Sequence, residues 1–330
     1  MKLEEVARLA GVSRTTASYV INGKAELHRI SAATQERVMA VVREHNYRPD
    51  QAATALRLGS SRLLGFILPD LENQSYARLA KLLEASARAQ GFQLIITCSD
   101  DNPDTEMALA EMLVARRIDA LLVSSALPTD STFYRELQAK GVPIIAIDRA
   151  LDDAQFASVI SEDMQGAMRL TDSLLVNQPH SIGLIGAVPE IAISRQRELG
   201  FRKAIGYSAP HLVPKIQYGD HFSREAGAKI CAEWIAEGQL PQAILTTSYV
   251  LLEGVLDVLV QNPELLAVTQ LATFGDNRLL DFLPIRVNAL PQQFPLIAEK
   301  ALALTLSAIN HQYKAGIHVV PRVLKVRADN

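Results

Sequence analysis

Two sets of polar side chains in this 330-residue sequence carry recognition chemistry. The first set is Arg14, Thr15, Thr16, Ser18 and Tyr19, all donors or acceptors on a segment whose apolar residues follow helical spacing. An arginine there can pair bidentately with guanine O6 and N7, Thr15 can reach a base edge or a thymine methyl, and Thr16 and Ser18 can hold phosphates. The second set stands just after apolar, strand-like runs: Asp70, Asn73, Ser75 and Tyr76; Ser124 and Ser125; Asp148 and Arg149; Arg197; Ser248; and Asp276. Carboxylates and hydroxyls suit sugar hydroxyls, and the guanidinium groups of Arg149 and Arg197 suit phosphate oxygens. An ion pair of Arg149 with Asp152 or Asp153 is the competing use of that side chain.

Catalytic chemistry finds less support. SIGLIGAVPE carries Gly183 and Gly186 without the three-glycine dinucleotide fingerprint, and neither a GxxxxGK[ST] nor a Gly-x-Ser-x-Gly motif occurs. His180 and His211 fall in loops without a spaced partner for a metal or a nucleophile. Cys98 and Cys231 have no paired spacing and are expected as reduced core cysteines. A binding protein without metal or cofactor is the expectation. Charge is uneven: residues 1–62 hold 10 Lys+Arg against 6 Asp+Glu, and the other 268 hold 23 against 30, so the N-terminal part is the one suited to phosphates.

The elements that must position these groups follow from periodicity. Leu3 to Asn22 reads as two short helices meeting at Gly11-Val12-Ser13, a helix-turn-helix, with Gly11 ending the first helix and Ser13 capping the second. Ser31 to His45 supplies a third helix, and Gln51 to Leu58 a short helical segment before Gly59. From Leu63 onward continuous apolar runs alternate with helical segments: 63–68, 93–98, 119–125 and 143–148, then 157–161, 181–187, 215–219, 242–248, 270–275 and 286–290, a helix over 294–311 and a closing strand at 319–326. Continuous rather than alternating apolar runs indicate parallel strands covered on both faces. Ligands of such doubly wound sheets sit beyond the carboxyl ends of the strands, where the second polar set falls.

The order of AGVSRTTASYVIN, NYRP and QAATALRLG before an α/β core of this kind resembles the lac repressor family along the whole chain. MKLEEVARLAGVSRTTASYVINGKA, PDLENQSY, DRAL and ATFGDNRLLDFL look most like its fructose-responsive branch. The resemblance implies that Arg14, Thr15 and Tyr19 read base edges and that Leu56 wedges into the minor groove. It also implies that Arg197, Asp276 and Asp148 line an effector cleft. Ser248 departs from the asparagine common in relatives, which argues against free-sugar recognition of the usual kind.

The expected architecture is an all-α helix-turn-helix head over 1–48, a hinge segment over 49–61, and a two-lobed, periplasmic-binding-protein-like core of doubly wound parallel sheets over 62–330. Within the core the first lobe takes about 62–161 and 291–319, the second about 162–290 and 320–330. The expected partners are double-stranded operator DNA, a second copy of the chain in a homodimer or homotetramer, and a small sugar-phosphate effector, fructose 1-phosphate first. The alternatives are a sucrose-type repressor and a sugar-phosphate-binding or modifying protein. The N-terminus has acids at Glu4 and Glu5 and no long apolar run, so a cytoplasmic location without a membrane partner is expected. The end of the chain at RVLKVRADN shows no leucine heptads for a tetramerising helix.

Overall fold

The structure, a computed structural model, describes residues 1–47, 60–128 and 131–327. Leu56 and nearly all of the 49–61 segment lie outside the described residues. The chain divides into two units, Met1–Ser61 and Arg62–Asn330.

The first unit holds α1 (Leu3–Leu9), α2 (Arg14–Ile21) and α3 (Ala32–Glu44). Gly11 takes a φ of +63°, the left-handed conformation that lets the chain turn sharply between α1 and α2. The Ser13 hydroxyl accepts the Thr16 N–H at 3.0 Å, and the Ser31 hydroxyl accepts the Thr34 N–H at 3.3 Å, so α2 and α3 both start on capping serines. Val6, Ala7, Ala10, Ala17, Val20, Ala25 and Val38 form its core.

The second unit contains two parallel sheets. The first sheet uses β1 (Leu63–Leu68), β2 (Gln93–Cys98), β3 (Ala120–Val123), β4 (Ile144–Ile147), β5 (Ala157–Ser161) and β11 (Gly316–Val320), in the order β11-β5-β4-β3-β1-β2. Helices α4 (Gln74–Ala89) and α12 (Phe294–Ile309) bury one face of it, and α5 (Pro103–Ala115) and α6 (Phe133–Ala139) the other. The second sheet uses β6 (Ile182–Ala187), β7 (Lys215–Gly219), β8 (Ala243–Thr246), β9 (Gln270–Phe274) and β10 (Val287–Leu290), in the order β10-β9-β8-β6-β7. Helices α7 (Met164–Leu175) and α8 (Ala192–Ser208) cover one face, and α9 (Arg224–Ala236) and α10 (Tyr249–Leu259) the other. α9 and α10 touch through glycines: a Cβ on Gly227 would stand 2.1 Å from the Leu251 carbonyl oxygen, and one on Gly254 1.9 Å from that of Arg224.

The chain passes between the sheets after β5, after β10 and after β11, with Glu162–Asp163, Pro291–Gln293 and Pro321–Arg322 at the three passages. The closing strand differs from its expected place. It occupies Gly316–Val320, because Pro321 has no N–H to continue the ladder. The residues beyond it reach the second sheet, where Lys325 and Ala289 exchange backbone hydrogen bonds of 2.8 and 3.0 Å. Helix α11 (Pro263–Val268) and a 3-10 turn (Arg278–Phe282) escaped the sequence reading, since five or six residues are too few for a helical period to emerge. Among the described residues no helix is long and apolar enough to cross a membrane.

Candidate functional site

On the outer face of α2, Arg14 and Thr15 are exposed, and Arg14 donates to Glu4 at 3.0 Å in a solvated ion pair. The Thr16 hydroxyl lies 2.8 Å from that of Ser13. The Tyr19 ring stacks on His28, centroids 3.5 Å apart and planes 10° from parallel, so the turn after α2 fixes the orientation of that phenol. Ser18 corrects the sequence reading. It is only 7% exposed, and the Asn22 amide donates to its carbonyl at 2.7 Å and its hydroxyl at 3.2 Å. Ser18 therefore sits with Ala17 and Val20 among the buried residues of α2.

In the core, Asp70, Asn73, Ser75, Tyr76, Asp148, Arg149, Arg197, Ser248 and Asp276 line one cavity of about 830 Å³, as do residues of both sheets' carboxyl ends. Several are placed by helix starts. Asn73 caps α4 by accepting the Ser75 N–H, and Ser248 caps α10 by accepting the Leu251 N–H. Ser124 and Ser125 do not line the cavity. Ser124 stands behind Tyr76, 3.0 Å from its hydroxyl, and Ser125 donates to the buried carboxylate of Glu106 at 2.5 Å.

On the first-lobe wall, Tyr76 donates to Asp148 Oδ2 at 2.9 Å and Gln292 donates to Asp148 Oδ1 at 2.7 Å. Burial, then the negative charge of Asp148, pushes the Tyr76 hydroxyl well above its ordinary range and keeps it a donor. Asp148 holds this position with φ at +67°, and its own N–H donates to the Val159 carbonyl at 2.9 Å. The partner of Arg149 is neither Asp152 nor Asp153 but Asp101, whose two carboxylate oxygens accept at 2.5 and 3.3 Å. Burial opposes the charge on Arg149, yet Tyr76, Asp101 and Asp148 together raise its pKa and hold the guanidinium charged.

On the opposite wall, Arg197 stacks over Phe274 with 4.3 Å to the ring centroid, donates to Asp163 at 2.9 Å and to the Thr247 carbonyl at 2.6 Å. Arg322 lies over the same ring and donates to Asp163 at 3.2 Å and to the Leu290 carbonyl at 3.3 Å, while its buried Nε meets no hydrogen-bond partner among the described residues. Burial, reinforced by the Arg197 charge and opposed by Asp163, lowers the Arg322 pKa to about 10. Asp276 accepts from Arg327 at 2.5 Å and from Lys325 at 3.4 Å, so the segment after β11 holds that carboxylate in the wall.

Asp101, Gln292 and Arg322 were absent from the sequence-derived set. Each follows the carboxyl end of a strand, β2, β10 and β11 respectively, so the strand-end rule contained the signal. Running the last strand through to 326 concealed Arg322 in particular.

The assembly of a three-helix head and a two-sheet core with a cleft lined from both sheets defines a ligand-binding protein with a nucleic-acid-reading domain. The description of bacterial regulatory proteins of the lacI family matches residues 2–50, and that of periplasmic binding proteins and sugar binding domains of the LacI family matches residues 61–248. The chain belongs to the lacI family of bacterial transcriptional regulators. Within it, the chain is 60% identical to the fructose operon regulatory protein of Vibrio cholerae over 327 residues, 99% of this chain and 100% of that protein. It is 46% identical to the catabolite repressor/activator of Escherichia coli K12 over 315 residues, 95% of this chain and 94% of that one. A solved structure of the Cra transcriptional dual regulator from Pseudomonas putida in complex with fructose 1-phosphate is 51% identical, covers 81% of this chain and 99% of its own, and superposes with a TM-score of 0.77. The lac repressor dimer bound to operator shares the fold, with a TM-score of 0.85 at 21% identity over 99% of this chain and 98% of its own.

Proposed function

We propose that this regulator binds operator DNA as a dimer, through Arg14, Thr15, Thr16 and Tyr19, and that a small phosphorylated ketose, fructose 1-phosphate, in the core cavity weakens that binding. The supporting observation is that the guanidinium groups of Arg149, Arg197 and Arg322 line the same cavity as the carboxylates of Asp148 and Asp276. The cations match a phosphate, and the acids match sugar hydroxyls. The complex of the Pseudomonas putida relative with fructose 1-phosphate points the same way. The protein acts by binding, in the cytoplasm where its operator is, and carries no catalytic activity. One head covers one half-site, so two copies match a near-palindromic operator.

The regulatory step follows from where the side chains are anchored. Gln292, Asp163 and Arg322 sit at the three passages between the lobes, and each lines the cavity or binds a residue that does. A ligand that pulls the arginines and acids together alters the angle between the lobes at those passages. Only its tighter binding to one lobe arrangement can oppose DNA binding, and operator then weakens the ligand by the same factor.

Calorimetry on the full chain tests the assignment. Fructose 1-phosphate is expected to bind where fructose and sucrose bind little or not at all. Arg197→Ala is expected to lose the ligand while retaining operator affinity. Tight binding of an unphosphorylated sugar would move the protein to the sucrose-type reading.

A further inference from the structure

Four arginines of the cavity wall hold carboxylates: Arg197 and Arg322 share Asp163, Arg224 pairs with Asp257, and Arg149 is gripped by Asp101, whereas a fifth, Arg78, lies over the Phe294 ring. A phosphate that engages one of these four must take a guanidinium from an acid, and the acids differ in how freely they can leave. Asp163 is 9% exposed and locked between two arginines at a passage between lobes. Asp257 lies outside the residues that line the cavity. Asp101 is 39% exposed, against 14% for its Arg149 partner, and lines the cavity from the turn after β2.

That turn is unusual. Asp100 and Asp101 both take left-handed backbone, φ +52° and +54°, in succession, which side-chain-bearing residues adopt only where the surroundings hold them. The Asp100 N–H is tied to the Pro69 carbonyl at 2.8 Å and the Asn102 N–H to that of Ser99 at 2.9 Å, whereas the Asp101 side chain is held by Arg149 alone among the contacts described.

We propose that Asp101 holds the place of the effector phosphate: its carboxylate fills the fork of Arg149 until the phosphate displaces it. Carboxylate and phosphate oxygens use the same bidentate geometry on a guanidinium, so one replaces the other without moving Arg149, which the Ile147 carbonyl holds through a backbone hydrogen bond of 2.7 Å. A neutral sugar has no charge with which to compete, so Asp101 makes the site selective for anionic ligands. The inference rests on the sugar-phosphate reading of this cavity.

The test is titration calorimetry of the full-length wild type, Asp101→Asn, Asp101→Ala and Asp101→Glu with fructose 1-phosphate and, separately, with inorganic phosphate. Asparagine tolerates left-handed backbone, so the first variant keeps the turn, and the alanine variant checks it. Both neutral variants are expected to bind fructose 1-phosphate with a roughly tenfold lower Kd, with a parallel gain for inorganic phosphate, because no carboxylate competes. Asp101→Glu keeps the charge and is expected to show no gain. If Asp101 instead holds Arg149 in place for the ligand, the neutral variants bind more weakly than wild type. Equal or weaker binding of both ligands by both neutral variants overturns the displacement idea. Absence of fructose 1-phosphate binding by wild type rejects the effector assignment instead, and the inorganic phosphate series still decides the role of Asp101.

Discussion

Arg322 donates to Asp163 at 3.2 Å, and by that bond the third passage between the lobes is fastened to the first. The same side chain reaches the Leu290 carbonyl, beside the second passage, so one arginine touches all three. It lines the cavity, is only 5% exposed, and its Nε meets no partner among the described residues. A buried guanidinium with a donor left over is a costly arrangement unless an acceptor visits it.

Replacing Arg322 by Met should therefore do two things. Thermal unfolding should show a loss of about 2 kcal/mol, below the figure for an orphaned buried charge because Asp163 keeps Arg197. Calorimetry should show at least tenfold weaker fructose 1-phosphate binding. Lysine at this position restores charge without the planar fork, so it should recover part of the stability and little of the ligand affinity. A full-affinity Arg322→Met protein would show that no ligand atom needs the Arg322 Nε.

Arg14→Ala should remove preference at one base pair of each half-site, costing ~1–3 kcal/mol for the lost bidentate contact. In the structure its guanidinium rests on Glu4, a solvated pair that a base edge can replace at little cost. Binding to a panel of single-base operator variants measures this. Uniform weakening on every sequence would assign Arg14 to the phosphates.

Glu162, beside Asp163, accepts two hydrogen bonds of 3.0 Å from Arg169, and that partner holds its carboxyl below the ordinary value of 4.5. A carboxyl lowered in the folded protein contributes stability that is complete above the unfolded value and disappears as pH falls through the folded one. Glu162→Gln should therefore lose about 1 kcal/mol at neutral pH and lose no more on acidification below 4.5, where wild type converges on it. Urea midpoints for the two proteins between neutrality and acid pH test the sign: a gap that widens toward acid contradicts it.

Much of this molecule was legible before the structure. Strands such as 63–68 and 93–98 match their expected limits, since a nearly continuous apolar run flanked by breakers leaves few alternatives. Gly11 and Ser13 mark the turn of the head through backbone and capping rules that act locally. What escaped depends on tertiary placement. Asp101 reaches Arg149 across 48 residues of chain and Arg322 reaches Asp163 across 159, and no local pattern records such pairings. Ser18 differs from its expected place for another reason: its hydroxyl suits a phosphate, but it is buried and accepts from the Asn22 amide, a tertiary placement that spacing does not record. Ser124 shows the same limit at the cleft: the strand-end rule found it, but the Tyr76 ring stands between it and the cavity.

A phosphorylated ketose in the core cavity and operator DNA are expected to oppose one another. Fluorescence anisotropy of a labelled operator bound to the full-length protein, titrated with fructose 1-phosphate and with fructose, tests it most directly. The expected result is release by fructose 1-phosphate alone, with the effector Kd raised on the operator-bound protein by the same factor as operator affinity is reduced. Operator binding unchanged at saturating fructose 1-phosphate, or release by fructose at equal concentration, would contradict it.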